Sequence, residues 1–408
     1  GGTPDPRAVR LTARAGRAEF RSYIFLEPHA TIECHSLEEV SGCLEQLENA
    51  VDEGSFAAGF MAYELGYAFE DVFSGGGKAA TPLMWFGLYE EPWIYNHRSK
   101  AFESGEKRAL KIAADLEGSH YAPTIREIVP APSMDEEEFH RSLHQIKQHI
   151  RNGNTYQVNF SFKVRFPWEH CLADLYCQLR GRQRVAYTAF VRMDRNSVLS
   201  FSPELFLCLQ KDQLTLRPMK GTAPRGRTPD EDERNRRRLL DSAKDRAENL
   251  MIVDLLRNDV GRIAKVGSVK VPEYYAIEEY ETVYQATSVI EAELRSGCSL
   301  QELIRGVFPS GSVTGAPKIR TMQIIQELER EPRGVYTGCV GFFAPGRQSV
   351  FNVAIRTVVV DGEQGLAEMG VGSGVTYDSD NVAEYRECLT KARFLGGSLY
   401  DLELLETL

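Results

Sequence analysis

The chain of 408 residues is 42% hydrophobic and 26% charged, and its formal net charge is −10. That composition is typical of a globular enzyme, and the length predicts two domains or one large domain built from two interlocked halves. The acidic balance argues against nucleic acid or a membrane surface as the main partner, since either would favour a basic stripe.

The cysteines and the apolar runs bear on location. Eight cysteines are scattered without a CxxC pair or the spacing of a disulfide framework, which is typical of a reducing compartment. A transmembrane helix would need about eighteen consecutive apolar residues, and the sequence contains no such run. We therefore expect a cytoplasmic protein.

Composition divides the chain into two regions and a tail. Residues 1–117 form a strand-rich first region, and proline and small residues over 118–133 predict a link to the second. The second region, residues 134–395, contains most of the chemically informative motifs. Residues 396–408 read as a tail or as the start of a linker to another module.

In chain order, strands dominate the first region, and strands grouped with helices fill the second. The predicted strands are 7–12, 21–26, 31–34, 57–63, 84–89, 156–164, 186–192, 198–202, 205–209 and 214–216. Helices are predicted after capping boxes at Ser36 with Glu39 and at Ser133 with Glu136. Further helices are predicted over 172–180, 230–256 with a break, 300–305, 319–329 and 382–395. Because strands do not alternate strictly with helices, we predict an α+β layered sandwich instead of a Rossmann-like sheet.

The segment 217–222, Arg-Pro-Met-Lys-Gly-Thr, places one lysine on a turn. Pro218 restricts the backbone and Gly221 lets a ligand approach closely, so Lys220 is the candidate nucleophile. The strand-like run 213–216 would deliver this turn to the edge of a cleft. The alternative, from these residues alone, is a surface turn with a solvated lysine.

Glu204 is the candidate acid or base. All eight histidines lie at or before His170, so proton transfer in the later part of the chain must use Glu, Lys, Tyr or water. Glu204 precedes Lys220 by sixteen residues with strand-like segments between them. A hairpin there would let the carboxyl group face the lysine.

Two predicted helices carry acids at the border of their apolar faces. These acids are Asp245 and Glu248 in one helix and Glu384 and Glu387 in the other. Half-buried carboxylates need a cation, and acids from two helices can together hold one Mg²⁺. The alternative is a pair of helices joined by salt bridges through the basic residues Lys244, Arg246 and Arg386.

Two loops rich in small residues are candidate ligand contacts. The loop 309–318 leads into a helix, whose free N–H groups can bind an anion, although a plain capping loop is the alternative. The loop 370–375, Gly-Val-Gly-Ser-Gly-Val, allows close approach of a ligand or is a bare turn, and it lacks the GxGxxG order of dinucleotide sites. Arg356 lies among apolar residues and is expected to pair with a carboxylate, either structural or a substrate's.

Taken together, these motifs resemble those of the chorismate-utilising enzymes over about residues 55–395. The resemblance rests on segments 202–206 (SPELF), 218–222 (PMKGT), 245–255 (DRAENLMIVDL), 308–318 (FPSGSVTGAPK) and 383–387 (AEYRE). The first hundred residues match only through 59–64 (GFMAYE). The family includes anthranilate, aminodeoxychorismate, isochorismate and salicylate synthases. The resemblance implies their fold, a layered sandwich of two large, mostly antiparallel β-sheets with outer helices.

Three positions within this resemblance bear on which member the chain is most similar to. A lysine at the position of Lys220 marks aminodeoxychorismate synthases, where anthranilate and isochorismate synthases usually carry alanine. Gln157 stands where isochorismate-type enzymes have a lysine base, which argues against activation of water. Gln285 stands where many relatives have histidine, which leaves the ring contact at that position open.

The resemblance implies a Mg²⁺-dependent activity similar to aminodeoxychorismate synthase component I, in para-aminobenzoate and folate biosynthesis. Lys220 would attack C2 of chorismate and Glu204 would act as acid. Glu248 and Glu387 would bind the metal directly, with Asp245 and Glu384 holding waters. The implied substrate-binding residues are Gly221, Thr222, Gln285, Thr314, Gly315, Tyr336, Arg356, Gly372, Ser373, Gly374 and Lys391.

The resemblance also implies partners. Family members take ammonia from a glutamine amidotransferase, and because this sequence has no Cys-His-Glu triad signal, a separate subunit or free ammonium is required. Residues 402–407 (LELLET) resemble the start of an aminodeoxychorismate lyase module. We therefore expect an aminodeoxychorismate lyase as a partner, either fused to this chain or as a separate protein. The rival interpretations are anthranilate synthase component I, which aminates C2, and a non-catalytic aromatic-metabolite sensor.

Overall fold

A computed structural model describes residues 8–13, 21–73, 81–104, 124–182, 185–280 and 283–396. The strands, in chain order, are β1 (Ala8–Ala13), β2 (Arg21–Leu26), β3 (Ala30–Cys34), β4 (Phe56–Met61), β5 (Met84–Tyr89), β6 (Trp93–Asn96), β7 (Ala101–Ser104), β8 (Ala131–Pro132), β9 (Gln157–Pro167), β10 (Tyr187–Arg192), β11 (Asn196–Ser202), β12 (Leu205–Gln210), β13 (Gln213–Arg217), β14 (Met219–Pro224), β15 (Lys270–Glu279), β16 (Val283–Glu293), β17 (Gly315–Ala316), β18 (Cys339–Ala344), β19 (Gln348–Val353), β20 (Thr357–Asp361) and β21 (Leu366–Val375).

The α-helices are α1 (Val40–Asp52), α2 (Glu136–Arg151), α3 (Leu172–Arg182), α4 (Pro229–Asp241), α5 (Ala243–Gly261), α6 (Leu300–Val307), α7 (Lys318–Leu328) and α8 (Asn381–Ala392). Short 3₁₀ turns lie at Leu37–Glu39, Tyr63–Phe69, Gly311–Val313 and Arg393–Leu395. Within the described ranges, no helix has the length and apolar character needed to cross a membrane. Residues 397–408, which include the 402–407 segment and all but one residue of the predicted tail, lie outside the described residues, as do residues 105–123.

The strands form two large sheets. Sheet A has eleven strands in the order β17-β9-β21-β20-β11-β10-β1-β2-β6-β7, with β8 beside β9. Sheet B has ten strands in the order β14-β16-β13-β12-β19-β18-β4-β5-β3, with β15 beside β16. Every strand pair in the described part of the chain is antiparallel. Strands from the first hundred residues therefore enter both sheets, alongside strands of the second region.

Alternation along the strands shows that the two sheets pack face to face. In β4, Ala58 and Phe60 join a buried cluster with residues of β2, β10 and β11, whereas Ala57 and Met61 join a cluster with α1, α5 and α6. Because alternate side chains point to opposite faces, one face of sheet B meets sheet A and the other meets helices. The ring of Phe25 in sheet A lies 5.7 Å from that of Phe342 in sheet B, between centroids.

Helices also cover the outer face of sheet A. Buried residues of α2, α3, α7 and α8 form one cluster with β9, β20 and β21. The order of layers is therefore helices, sheet B, sheet A and helices. The predicted α+β sandwich with two large antiparallel sheets and outer helices is confirmed.

Capping side chains decide the start of α2 and the break between α4 and α5. Asp135, not Ser133, caps α2, because its carboxylate accepts a hydrogen bond from the Glu138 amide, while the Ser133 hydroxyl accepts one from Lys163 N in the neighbouring strand. The expected break in 230–256 falls at Ser242, whose extended backbone ends α4 and whose hydroxyl caps α5.

We predict that Phe139→Ala destabilises the protein by about 3–5 kcal/mol, because it removes a buried ring and leaves a cavity. Phe139 is fully buried, and its ring centroid lies 5.5 Å from that of Phe160 and 5.3 Å from that of Tyr385 in α8. Urea unfolding followed by circular dichroism measures the change. The control is Glu137→Ala on the exposed face of α2, and equal losses in the two variants would contradict this packing.

Candidate functional site

Lys220 lies in a β-bulge at the end of sheet B. Met219 of β14 faces Thr287 of β16 and Thr222 faces Gln285, so two residues of β14 stand opposite one residue of β16. Gly221 has φ 91°, in the left-handed region that favours glycine. A bulge bends its strand and re-aims a side chain, and here the side chain is that of Lys220.

The half-buried Lys220 amine faces the glycine-rich strand β21. A methyl group placed on Gly374 would lie 3.5 Å from Lys220 Nζ and 2.4 Å from Gln157 Nε2. Across the described residues, no hydrogen bond or ion pair reaches this amine. Burial lowers the pKa of Lys220, against the opposing charges of nearby carboxylates, chiefly Glu248. The amine is therefore easier to deprotonate than an exposed lysine.

Glu204 is buried beside the segment that leads to Lys220. Its neighbour Leu205 pairs with Arg217, and its Oε1 accepts a 2.6 Å hydrogen bond from the Ser312 hydroxyl. Burial raises the pKa of Glu204 to about 7, while the Ser312 hydrogen bond and the charge of Lys220 act to lower it. A carboxyl group with this pKa can donate or accept a proton near neutral pH.

The acids of α5 and α8 lie within electrostatic reach of one another. Burial raises the pKa of Glu248, and the charges of Asp245 and Glu384 act in the same direction. Burial also acts to raise the pKa of Glu387, but its 2.7 Å ion pair with Lys391 outweighs burial and lowers it. The two helices thus bring like charges toward one region, which favours a cation there.

The alternative of two salt-bridged helices is not what the structure shows. Lys244 lies 4.0 Å from Glu248 of its own helix, and Lys391 pairs within α8. Arg246 lies over the Tyr275 ring, 5.8 Å from its centroid. In the described parts of the chain, no ion pair joins α5 to α8.

Whether the acids of α5 and α8 can bind a metal ion depends on how many of their side chains lie close together. Nowhere in the described ranges do three acidic, histidine or cysteine side chains group closely enough to hold a metal by themselves. Mg²⁺ usually keeps several waters and takes only one or two carboxylates directly. Glu248 and Glu387 supply only carboxylate oxygens, the donor type that Mg²⁺ prefers. Asp245 borders Gly221, and Glu384 accepts a 2.7 Å hydrogen bond from Ser379.

The three glycines of β21 lie on the face of sheet A that Lys220 approaches, and Tyr336 fills the space beside two of them. A methyl group on Gly370 would lie 2.1 Å from the Tyr336 ring, and one on Gly372 would lie 3.1 Å from the Tyr336 hydroxyl. Lys391 of α8 donates a 2.7 Å hydrogen bond to the Gly372 carbonyl. Ser373 points to the opposite face, toward Cys388, so only its backbone can face the Lys220 side.

The loop 309–318 is packed and not open to a ligand along most of its length. Thr314 is fully buried, its hydroxyl donates to the Ser310 carbonyl and its amide donates to the Gly311 carbonyl. Gly315 pairs with β9, and a methyl group there would lie 2.1 Å from Gln157 O. The amides expected to bind an anion are therefore partly used within the loop.

The remaining predicted residues lie around the same region. Gln285 and Thr222 hydrogen-bond to each other across the sheet, at 2.9 Å. Arg356 is half-buried with φ 50°, and burial lowers its pKa to about 10. No described carboxylate forms an ion pair with Arg356, so the structural partner considered for it is not observed. A ligand carboxylate remains the alternative.

Three further residues of the site are not among the predicted site residues. Ser312 binds Glu204, and only its place in a small-residue loop hinted at function. Gln157 is buried, and its Oε1 has no hydrogen-bond partner in the described chain. Arg333 is buried, pairs with Glu329, donates to the Val313 carbonyl and lies over the ring of Tyr63, so it ties this loop to its neighbours.

Comparison with known proteins gives a consistent family. The family model described as chorismate binding enzyme matches residues 9–396. The chain is 34% identical to aminodeoxychorismate synthase component 1 of Escherichia coli over 340 residues, covering 82% of this chain and 75% of that protein. It is 40% identical to anthranilate synthase component 1 1 of Haloarcula marismortui over 305 residues, covering 72% of this chain and 61% of that protein.

A solved structure supports the fold. Anthranilate synthase component I from Streptococcus pneumoniae matches with a TM-score of 0.81 at 24% identity, covering 94% of this chain and 93% of that one. The sequence relatives carry two different names, and the match spans about three fifths of the Haloarcula protein. Their names alone therefore do not decide the reaction.

We predict that Glu204 makes the protein less stable as pH rises from about 4.5 to about 7. Its carboxyl group has a higher pKa in the folded than in the unfolded chain, so the folded state binds more protons in this window and its stability falls as they leave. Glu204→Gln should remove up to about 3 kcal/mol of this dependence.

Urea unfolding at a series of pH values measures this effect, with the exposed Glu137→Gln as the matched control. The difference between wild type and Glu204→Gln isolates this carboxyl group from other titrating acids. Identical pH dependence in the two proteins would show that the pKa of Glu204 is ordinary.

Proposed function

The chain belongs to the family of chorismate binding enzymes, and from that premise we propose that it is component I of an aminodeoxychorismate synthase. It would convert chorismate and ammonia to 4-amino-4-deoxychorismate, a precursor of para-aminobenzoate and folate. The observation that carries the proposal is the Lys220 amine, which is half-buried, free of ion pairs in the described chain and directed at the glycine strand.

The first step is attack by Lys220. Its neutral amine forms a bond to C2 of chorismate, both ring double bonds shift by one position, and the C4–O bond breaks. Glu204 protonates the departing hydroxyl, which leaves as water. The lowered pKa of Lys220 and the raised pKa of Glu204 support these roles, because each shift favours the uncharged form that the step requires.

The second step is displacement by ammonia. Ammonia forms a bond to C4, both ring double bonds shift back, and the C2–N bond to Lys220 breaks. Glu204 recovers a proton from the incoming ammonia. The component 1 names of the relatives support a separate amidotransferase that hydrolyses glutamine to supply ammonia, with free ammonium as a substitute in solution.

We also propose that Mg²⁺ binds between Glu248 and Glu387, where it would neutralise the ring carboxylate of chorismate. Asp245 and Glu384 would orient waters at its edge. The groups proposed for the enolpyruvyl carboxylate are Tyr336, Arg356, Lys391 and the backbone amides of 372–374. Lys391 pairs with Glu387, so metal binding by Glu387 would require this ion pair to rearrange.

Anthranilate synthase component I is a second candidate. The 40% identity to the Haloarcula protein of that name favours it. That reaction places the amino group on C2 and eliminates pyruvate, and a lysine bonded to C2 would block the incoming ammonia. Lys220 therefore favours amination at C4.

We predict that Lys220→Ala abolishes formation of 4-amino-4-deoxychorismate or diverts amination to C2, because C2 is then open to ammonia. Chorismate, Mg²⁺ and ammonium are incubated with each protein, and products are identified by mass spectrometry. The matched control, Lys211→Ala, changes an exposed lysine of the same sheet. Full retention of C4 amination by Lys220→Ala would remove the nucleophilic role.

We predict that chelation of divalent metal stops turnover and that Mg²⁺ restores it. Glu248→Gln and Glu387→Gln should each raise the Mg²⁺ concentration needed for half-maximal rate at least tenfold, since each removes a charged ligand. Isothermal titration of Mg²⁺ into the protein with chorismate present supplies a readout apart from rate. Unchanged Mg²⁺ affinity in both variants would contradict this site.

A further inference from the structure

Gln285 forms two hydrogen bonds to the strand that carries Lys220. Its Nε2 donates to the Gly221 carbonyl at 2.8 Å, and its Oε1 accepts from the Thr222 hydroxyl at 2.9 Å. Gln285 stands opposite Thr222 in the β14–β16 pairing. Its carbonyl oxygen and one N–H thus bind the neighbouring strand of the same sheet.

These bonds fall where regular pairing is interrupted. A bulge leaves its extra residue unpaired in the ladder, and Lys220 with Gly221 forms that interruption. The other side of Gly221 is enclosed, because a methyl group there would lie 3.1 Å from Leu239 Cδ1 and 3.2 Å from Asp245 Cβ. The orientation of the Gly221 peptide is therefore fixed by Gln285 on one side and by α4 and α5 on the other.

The direction of the Lys220 side chain follows from this peptide. A lysine has four rotatable side-chain bonds, so its amine stays near one point only if its backbone is fixed and its surroundings are packed. Nζ lies 3.5 Å from the point where a methyl group on Gly374 would be, so the amine faces a strand of the other sheet. Loss of the backbone anchor would let the amine turn toward water.

We propose that Gln285 is a positioning residue, which holds the Lys220–Gly221 bulge so that the amine faces β21. It acts through the backbone of β14 and does not touch the reacting atoms. The test has two readouts. The kinetic readout, the rate of C4 amination, rests on the proposed function, whereas the chemical readout, the acetylation of Lys220, does not.

Gln285→Met keeps the length of the side chain but removes both hydrogen bonds. Thr222→Val removes only the hydrogen bond between the Thr222 hydroxyl and Gln285. Thr222→Ser keeps that hydroxyl, so its effect on Lys220 should be smaller than that of Thr222→Val. The matched control is Glu291→Gln, an exposed position on the same strand that faces β13 and not the bulge.

The chemical readout is acetylation of Lys220 by acetic anhydride across a pH series, quantified by peptide mass spectrometry against exposed Lys211. In wild type, the Lys220 midpoint should lie below that of Lys211. In Gln285→Met it should rise to that of Lys211, because the amine turns toward water, with a smaller rise in Thr222→Val.

The kinetic readout is the split between kcat and KM in C4 amination. Since a misplacement of about 1 Å can cost about 100-fold in rate, kcat should fall about 10- to 100-fold in Gln285→Met. KM for chorismate should stay within about threefold, because the proposed carboxylate contacts lie elsewhere.

An unchanged Lys220 midpoint in both Gln285→Met and Thr222→Val would overturn the proposal, as would a kcat equal to that of wild type. If Gln285→Met does not fold, the comparison of Thr222→Val with Thr222→Ser decides by itself. If wild type makes no 4-amino product, the proposed function fails, while the acetylation midpoints still decide whether Gln285 positions Lys220.

Discussion

The proposed chemistry depends on one constraint: an amine must be partly buried near carboxylates without forming an ion pair with any of them. Burial alone favours the neutral form of Lys220, and a direct ion pair would restore the charged form. The structure meets both conditions, because Glu204 and Glu248 influence the amine electrostatically but neither bonds to it. The Ser312 hydrogen bond holds Glu204 in turn.

The sandwich produces this arrangement by bringing the edges of its two sheets together. Lys220 belongs to sheet B, whereas β21 and β9, which it faces, belong to sheet A. Glycines at three alternate positions of β21 keep that face free of side chains, and Tyr336 occupies the space beside two of them. Helices α5 and α8, which carry the acids, pack on different sheets, so the acids meet only when both layers are in place.

Sequence patterns predicted much of this fold because its strands alternate clearly and its helices have buried stripes. The strand Met84–Tyr89 falls where periodicity placed it, and the break predicted within 230–256 is found at Ser242. The cap of α2 was misassigned because Ser133 and Asp135 both have capping side chains, and only the position of β9 decides between them. The partners of Lys220, Glu204 and Gln285 depend on strand register and a bulge, which sequence separation does not specify.

The central claim is a covalent bond between Lys220 and C2 of the ring. Mixing the protein with chorismate and Mg²⁺ in the absence of ammonium should let this adduct accumulate, since nothing displaces the lysine. Peptide mass spectrometry after acid quench should then show the Lys220 peptide increased by the mass of chorismate less one water. An unmodified Lys220 peptide from a preparation that aminates C4 when ammonium is added would contradict the account.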